Sequence, residues 1–232
     1  MRDDIIVLGK GLLGNEIIKQ TNWDWASRFE DGIDFNKTDW YKMLEYYGTI
    51  INCIACTDTY SLEKEKHWQT NYVSVMNLAD YCNVQDKKFV QVSTDYIYSN
   101  SQNNATEEDI PVNNRTWYSY TKLLSDAYVQ ARSQNYLLIR TSFKSNPFPY
   151  KEAIVTQFGN FDYVDIIAAL IIKLINKGAK GVFNVGTKKK RIYDLAVQSN
   201  PEVIPAFWKV HPLMPTNITM NVSKMEKFLN ES

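Results

Sequence analysis

The chain has 232 residues, 44% of them apolar, enough for one large domain or for one domain with a small second lobe. Lysine plus arginine and aspartate plus glutamate each number 26, so the net charge is zero and nothing suggests a general attraction to nucleic acid or an anionic membrane. No apolar run approaches the ~20 residues of a spanning helix, the charged start Met1-Arg2-Asp3-Asp4 does not read as a signal peptide, and three cysteines make no disulfide framework, so a cytoplasmic location is expected.

Ile5-Ile6-Val7-Leu8 is a short apolar run of the kind that forms a buried parallel strand. It leads into Gly9-Lys10-Gly11-Leu12-Leu13-Gly14, and Asn15 to Lys19 then reads as a helix. In this G-x-G-x-x-G, Gly9 permits a tight turn and Gly11 lets the backbone approach a pyrophosphate at the helix N-terminus. Gly14 lets the helix pack closely on the strand. A dinucleotide cofactor is therefore expected, with Gly9, Gly11, Leu12, Leu13 and Gly14 at its pyrophosphate.

Further elements alternate. Trp23 to Ser27 is expected as a second strand and Ile33-Asp34-Phe35 as a short third one. Asn36 to Asp39 leads into a helical stretch from Trp40 to Tyr47. Ile50 to Ala55 reads as a strand, Glu63 to Cys82 as mostly helix, and Lys88 to Ser93 as a strand. Tyr118 to Ser133 reads as a helix and Tyr136 to Arg140 as a strand. Such alternation predicts an α/β fold with a doubly wound parallel sheet. Ligands then bind at the carboxyl ends of the strands, where Gly9, Asn52, Thr94 and Thr141 would gather. The polar loop from Asn100 to Trp117 is expected either over that cleft or as plain surface. Beyond Ser145, Asn146-Pro147-Phe148-Pro149 breaks the pattern. An apolar helix over Asp165–Asn176, a strand over Gly181–Gly186 and a last helix over Ser223–Leu229 follow. The expected division is 1–145 for the sheet domain and 146–232 for a small lobe partly interleaved with it. Lys188 to Arg191 is a charge run that reads as a solvated turn.

Tyr118 and Lys122 stand four apart, on one face of the predicted helix. One element earlier, a strand ends in Ser93-Thr94-Asp95-Tyr96. An ammonium one turn from a phenol can lower its pKa, and a threonine hydroxyl can orient the same proton. A Thr94–Tyr118–Lys122 set is what proton donation to a ketone requires. A second pair with the same spacing, Tyr60 and Lys64, has no such strand before it. Cys53 and Cys56 form a C-x-x-C, but within an apolar run. With His67 and His211 the only histidines and no second ligand pair, no metal site is expected.

These residues resemble the extended short-chain dehydrogenase/reductases, and among them the dTDP-4-dehydrorhamnose reductases. The carriers are the glycine motif; Ile51-Asn52-Cys53-Ile54-Ala55; Thr70-Asn71-Tyr72-Val73; Val92-Ser93-Thr94-Asp95-Tyr96-Ile97-Tyr98; the Tyr118–Lys122 pair; Ile139-Arg140-Thr141-Ser142; Val182 to Gly186; and Asn221 to Met225. The resemblance implies a Rossmann sheet with a small C-terminal substrate lobe. It also implies reduction of the 4-keto group of a 4-keto-6-deoxy sugar nucleotide. Tyr118 would give the proton, Thr94 would bond the ketone oxygen or the Tyr118 hydroxyl, and Lys122 would hold the nicotinamide ribose and lower the Tyr118 pKa. Asp34, Asn52, Ala55 and Asn71 would join the cofactor site, and Asp95, Tyr96 and Phe143 would face the sugar. Arg28, at the end of the second expected strand, points to NADPH over NADH.

Three departures stand out. The glycine motif is one residue shorter than usual, Phe143 replaces a tryptophan, and the stretch from Arg140 to Gln157 is short, so a shortened substrate lobe is expected. A dehydratase would carry an acid after Thr94-Asp95, where this chain has Tyr96. A 4-epimerase, or a non-catalytic NADP-binding regulatory subunit on the same scaffold, stays open at this point. The partner implied is a nucleotide-sugar substrate, with no nucleic acid or membrane and with homodimer formation left open.

Overall fold

The computed structural model describes residues 4–32, 40–100, 103–111, 114–208 and 211–231. In chain order the first half holds β1 (Ile5–Leu8), α1 (Leu12–Gln20), β2 (Asp24–Ala26), α2 (Arg28–Asp31), α3 (Tyr41–Leu44) and β3 (Thr49–Asn52). Next come α4 (Lys64–His67), which passes through a π-helical stretch (Trp68–Val73) into α5 (Ser74–Val84), then β4 (Lys88–Val92) and a 3₁₀ turn (Asp95–Tyr98). The second half holds α6 (Trp117–Arg132), β5 (Tyr136–Thr141), β6 (Phe143–Lys144), β7 (Glu152–Ile154), β8 (Phe158–Gly159), β9 (Asp162–Tyr163) and α7 (Val164–Asn176). It ends with β10 (Gly181–Val185), β11 (Lys190–Arg191), α8 (Ile192–Ser199), β12 (Ile204–Ala206), β13 (Asn217–Ile218) and α9 (Ser223–Asn230).

Six strands form one parallel sheet in the order β10-β5-β4-β3-β1-β2. Alternate residues of the apolar runs go to opposite faces. Val7, Ile51, Val90, Leu137 and Phe183 pack with α1, α7 and α9. Ile6, Leu8, Ile50, Phe89 and Leu138 pack with α3, α5 and α6. Both faces are covered, which is why the strands read as continuous apolar runs rather than alternating ones. Each such Ile, Leu or Phe contributes roughly 1.5–3 kcal/mol by leaving water. The chain runs from β1 outward to β2 and then crosses back to β3, so the order reverses between β1 and β3. This is the point at which such sheets open a crevice.

The expected strand Ile50–Ala55 stops at Asn52. The Asn52 side chain accepts from the Ile54 amide at 3.1 Å and turns the chain out of the sheet. The expected third strand, Ile33-Asp34-Phe35, and the stretch Asn36–Asp39 lie outside the described residues. After residue 145 the chain contributes in two ways. β10, α7 and α9 complete the main sheet and its core. Phe148, Ala153, Phe161, Tyr163, Ile192, Leu195, Val203 and Ile218 make a second, smaller core. The charge run is not simply solvated: Lys190 pairs with Asp162 at 2.6 Å and Arg191 with Asp194 at 2.8 Å.

A buried polar cluster ties the two halves. Arg140 on β5 makes a two-pronged pair with Asp126 on α6, both bonds 2.9 Å, with both side chains almost fully out of water. Arg140 also donates to the Tyr98 hydroxyl and to the Glu107 carbonyl, and Tyr98 bonds Asn184 on β10 at 3.1 Å. The described part of the 100–117 loop belongs to this cluster. Ala105 bridges to Met220, and the Asn184 amide donates to the Glu107 carboxylate. Among the described residues, no helix is long and apolar enough to cross a membrane.

Candidate active site

The glycine turn is built as the sequence predicts. Gly9 has φ +95°, open to glycine and strained for other residues, and its amide bonds the Ala26 carbonyl at 2.9 Å. A β-carbon on Gly14 would lie 1.8 Å from the Gly9 carbonyl oxygen, so only glycine lets α1 sit this close to the turn. Gly11 is different: a β-carbon there would meet nothing within 4 Å. Gly11 caps α1 without a side-chain cap, leaving the first helical amides free beside open space, as an anionic group at a helix start requires.

Gly11, Leu12 and Leu13 line a cavity of about 480 Å³. Its other walls come from the loop after β3 (Cys53, Ala55, Thr57, Thr59), the end of β4 (Val92, Ser93, Thr94, Tyr96), α6 (Tyr118, Lys122) and the segment after β5 (Thr141 to Ser145, Pro149, Tyr150). All are carboxyl ends of sheet strands or the helix beside them.

Helix α6 starts at Thr116, whose side chain accepts from the Ser119 amide at 3.2 Å. This cap, worth about 1 kcal/mol, fixes where the turn carrying Tyr118 begins. The Thr94 side chain is a neighbour of the Tyr118 phenol and lowers its pKa, and Thr94 also caps the 3₁₀ turn by accepting from the Tyr96 amide at 3.2 Å. Lys122 is buried and donates to the Val92 carbonyl at 2.6 Å.

Burial sets the electrostatics. It pushes the Tyr118 phenol up to about 12, against the lowering effect of the neighbouring Thr94 side chain. The depression by Lys122 expected from the sequence is absent. Burial itself brings Lys122 down to about 8, and its amine is engaged by Val92. Asp95 is fully buried behind Thr94, and burial lifts its carboxyl to about 7 despite Lys144, Ser142 and Thr94, which all lower it. One Asp95 oxygen has no hydrogen-bond partner.

Other expected residues stand back from the cavity. Asn71, expected at the cofactor, is buried and clamps both main-chain groups of Cys56, at 2.8 and 3.1 Å. Asn52 bonds Gln91 at 2.8 Å and the Ile54 amide. Both therefore shape the loop that forms the wall rather than the cavity surface. Arg28 is exposed at the start of α2. Nearby, Lys10 lies 3.8 Å over the Trp25 ring and pairs with Glu30 at 3.2 Å. Asp34 lies outside the described residues. Ala55, Tyr96 and Phe143 line the cavity, while Asp95 sits behind it. Sequence reasoning missed Thr57, Thr59, Lys144 and Tyr150, although the rule that ligands gather at strand ends points to the loops that carry them. Cys53 also faces the cavity, its thiol raised to about 12 by burial, and among the described residues no three His, Cys, Asp or Glu side chains cluster as metal ligands.

Fold and cleft together define a doubly wound α/β protein with a crevice at its switch point and a lobe closing over it. The chain belongs to the family described as the RmlD substrate binding domain, whose model matches residues 2–146. A crystal structure of a dTDP-4-dehydrorhamnose reductase from Clostridium acetobutylicum superposes with a TM-score of 0.82 at 23% identity, covering 96% of this chain and 91% of that one. A hypothetical dTDP-4-dehydrorhamnose reductase from Sulfolobus tokodaii gives 0.81 at 22% identity, covering 100% and 96%. The Bacillus anthracis dTDP-4-dehydrorhamnose reductase, in complex with NADP, gives 0.82 at 19% identity, covering 98% and 92%. No curated protein sequence matches the chain. The matches run through more than nine-tenths of each relative.

Proposed function

We propose that the protein is an NADPH-dependent reductase of the 4-keto group of a 4-keto-6-deoxy sugar nucleotide. One observation carries the reading: Thr94, Tyr118 and Lys122 line the same cavity as the open N-terminus of α1. The glycine turn suits a dinucleotide pyrophosphate, with Gly11 leaving the approach clear and the free α1 amides receiving the charge. When bound, the nicotinamide supplies hydride to the carbonyl carbon.

The chain's own residues then handle the oxygen. Thr94 orients the carbonyl and the Tyr118 hydroxyl. Tyr118, whose raised pKa keeps it protonated at neutral pH, gives its proton to the oxygen as negative charge develops there. Lys122, which here donates to the Val92 carbonyl, would hold the nicotinamide ribose and provide a nearby positive charge for the phenolate left behind. The product is an alcohol, and no acid after Asp95 stands ready to expel a hydroxyl, which favours plain reduction over dehydration. NADPH is favoured over NADH because Arg28 stands exposed just after β2, at the start of α2, while the carboxylate of Glu30 is engaged by Lys10.

The test follows NADPH absorbance on addition of a 4-keto-6-deoxy sugar nucleotide. Oxidation that depends on both protein and sugar supports the reading. Cofactor binding without oxidation would favour the regulatory-subunit alternative.

A further inference from the structure

Lys144 is the one cavity-lining cation, among the described residues, with neither a hydrogen bond nor an ion pair of its own. It follows Phe143 on β6, which is held beside β9 by the pairing of Lys144 with Tyr163. Other lysines around the cleft are engaged: Lys122 by the Val92 carbonyl, Lys10 by Glu30, Lys190 by Asp162 and Lys224 by the Val182 carbonyl. The Lys144 ammonium instead lies 5.9 Å from the Phe161 ring centre, too far for more than a weak attraction. Asp95 is its electrostatic neighbour, yet the two carry no ion pair within 4.0 Å, and one Asp95 oxygen has no partner. Lys144 is half-buried and Asp95 does not reach it as an ion pair, so an anion of suitable reach in the cavity would find its ammonium unclaimed.

We infer that Lys144 receives an anionic oxygen group of the substrate, in the same cavity as Tyr118 and Thr94. The inference rests on the sugar-nucleotide reading of that cavity and narrows it. Two parts of a sugar nucleotide carry such oxygens: the diphosphate, and a carboxylate on the sugar ring. In either case the lysine fixes the sugar's orientation relative to Tyr118, so it is a specificity-determining residue and takes no part in the proton transfer.

The test is calorimetric binding to the full chain in the presence of NADP⁺, with UDP-glucose, dTDP-glucose and UDP-glucuronate as probes. It compares wild type with Lys144→Met and Lys144→Arg, each variant checked for native thermal unfolding. Methionine keeps the length and apolar stem, so the small-lobe packing is preserved. Lys144→Met is expected to weaken binding roughly 10- to 100-fold, as for loss of a charged hydrogen bond, with Lys144→Arg retaining most of the affinity. Weakening confined to UDP-glucuronate assigns the group to a ring carboxylate. Equal weakening for all three assigns it to the diphosphate. Identical behaviour of wild type and Lys144→Met toward every probe, absence of binding included, overturns the inference. If binding depends on Lys144 but no 4-keto sugar nucleotide is reduced, the reductase reading alone falls.

Discussion

The phenol oxygens of Tyr60 and Tyr96 lie 3.2 Å apart, so the loop after β3 is bonded to the turn after β4, whose Tyr96 lines the cavity. Tyr60 also stacks on His211, ring centres 4.2 Å apart, and the Tyr96 ring meets that of Tyr118 edge to face at 6.2 Å. A chain of rings therefore runs from the C-terminal segment to the proposed acid. Tyr60 and Lys64 have the spacing of the Tyr118–Lys122 pair, but the helix expected from the sequence begins only at Glu63. Tyr60 lies in the loop ahead of α4, and Lys64 reaches instead over the Trp117 ring at 5.2 Å.

Tyr60→Phe should therefore leave the fold intact but weaken substrate binding. Losing one neutral hydrogen bond is worth about 0.5–1.5 kcal/mol, which is a rise in KM of roughly 2- to 10-fold with kcat little changed. Steady-state kinetics reads this directly, and an unchanged KM would mean that the bond merely braces the loop.

Tyr118→Phe should keep the fold and cofactor affinity while lowering kcat by roughly 10²- to 10⁴-fold, the usual share of a positioned general acid. The ring contacts with Tyr96 and His67 survive the change, so a packing role would cost little. Turnover equal to wild type would remove Tyr118 from the chemistry.

Gly11 and Gly14 should fail differently. Gly11→Val places a side chain in open space, so the protein should fold yet lose dinucleotide binding. Gly14→Ala sets a methyl against the Gly9 carbonyl and should destabilise the fold itself. Thermal unfolding alongside cofactor titration separates the two. Loss of fold in Gly11→Val would contradict the open cradle.

Asp95 makes a prediction about pH. Its carboxyl is raised to about 7 from an ordinary 3.8 by burial, with Lys144, Ser142 and Thr94 opposing. Between those values the folded chain holds a proton that the unfolded chain releases, so stability falls as pH rises through this window and the cost persists above it. Asp95→Asn, which resembles the protonated acid, should be more stable than wild type by a few kcal/mol at about pH 8 and nearly equal to it at about pH 4. Urea unfolding at both pH values measures this, and a gap that does not widen with pH would show that Asp95 stays charged.

The sheet was legible because Ile5–Leu8, Thr49–Asn52, Lys88–Val92 and Tyr136–Thr141 are each apolar on both faces, a pattern that local sequence carries. Tyr118 and Lys122 were legible because a helix converts their spacing into a shared face. Tyr60 and Lys144 were not, because a loop and a two-residue strand carry no period and their neighbours, Tyr96 and Asp95, are 36 and 49 residues away. Burial misled in one respect. The same helix that brings Lys122 near Tyr118 also desolvates it, and the Val92 carbonyl takes the amine that the sequence assigned to the phenol.

The Arg140–Asp126 pair has a consequence for how the cleft can adapt. It locks α6 to β5 from within the core, and Tyr98, Glu107 and Asn184 brace it from the other side. The helix carrying Tyr118 is thus a fixed post, and turning it would strand a guanidinium and a carboxylate without water. Ligands of different shape have to be met on the opposite wall, where Phe143, Lys144 and Tyr150 stand on short strands and loops. New substrate preferences in this scaffold should arise by changes along that wall, with the proton donor left where it is.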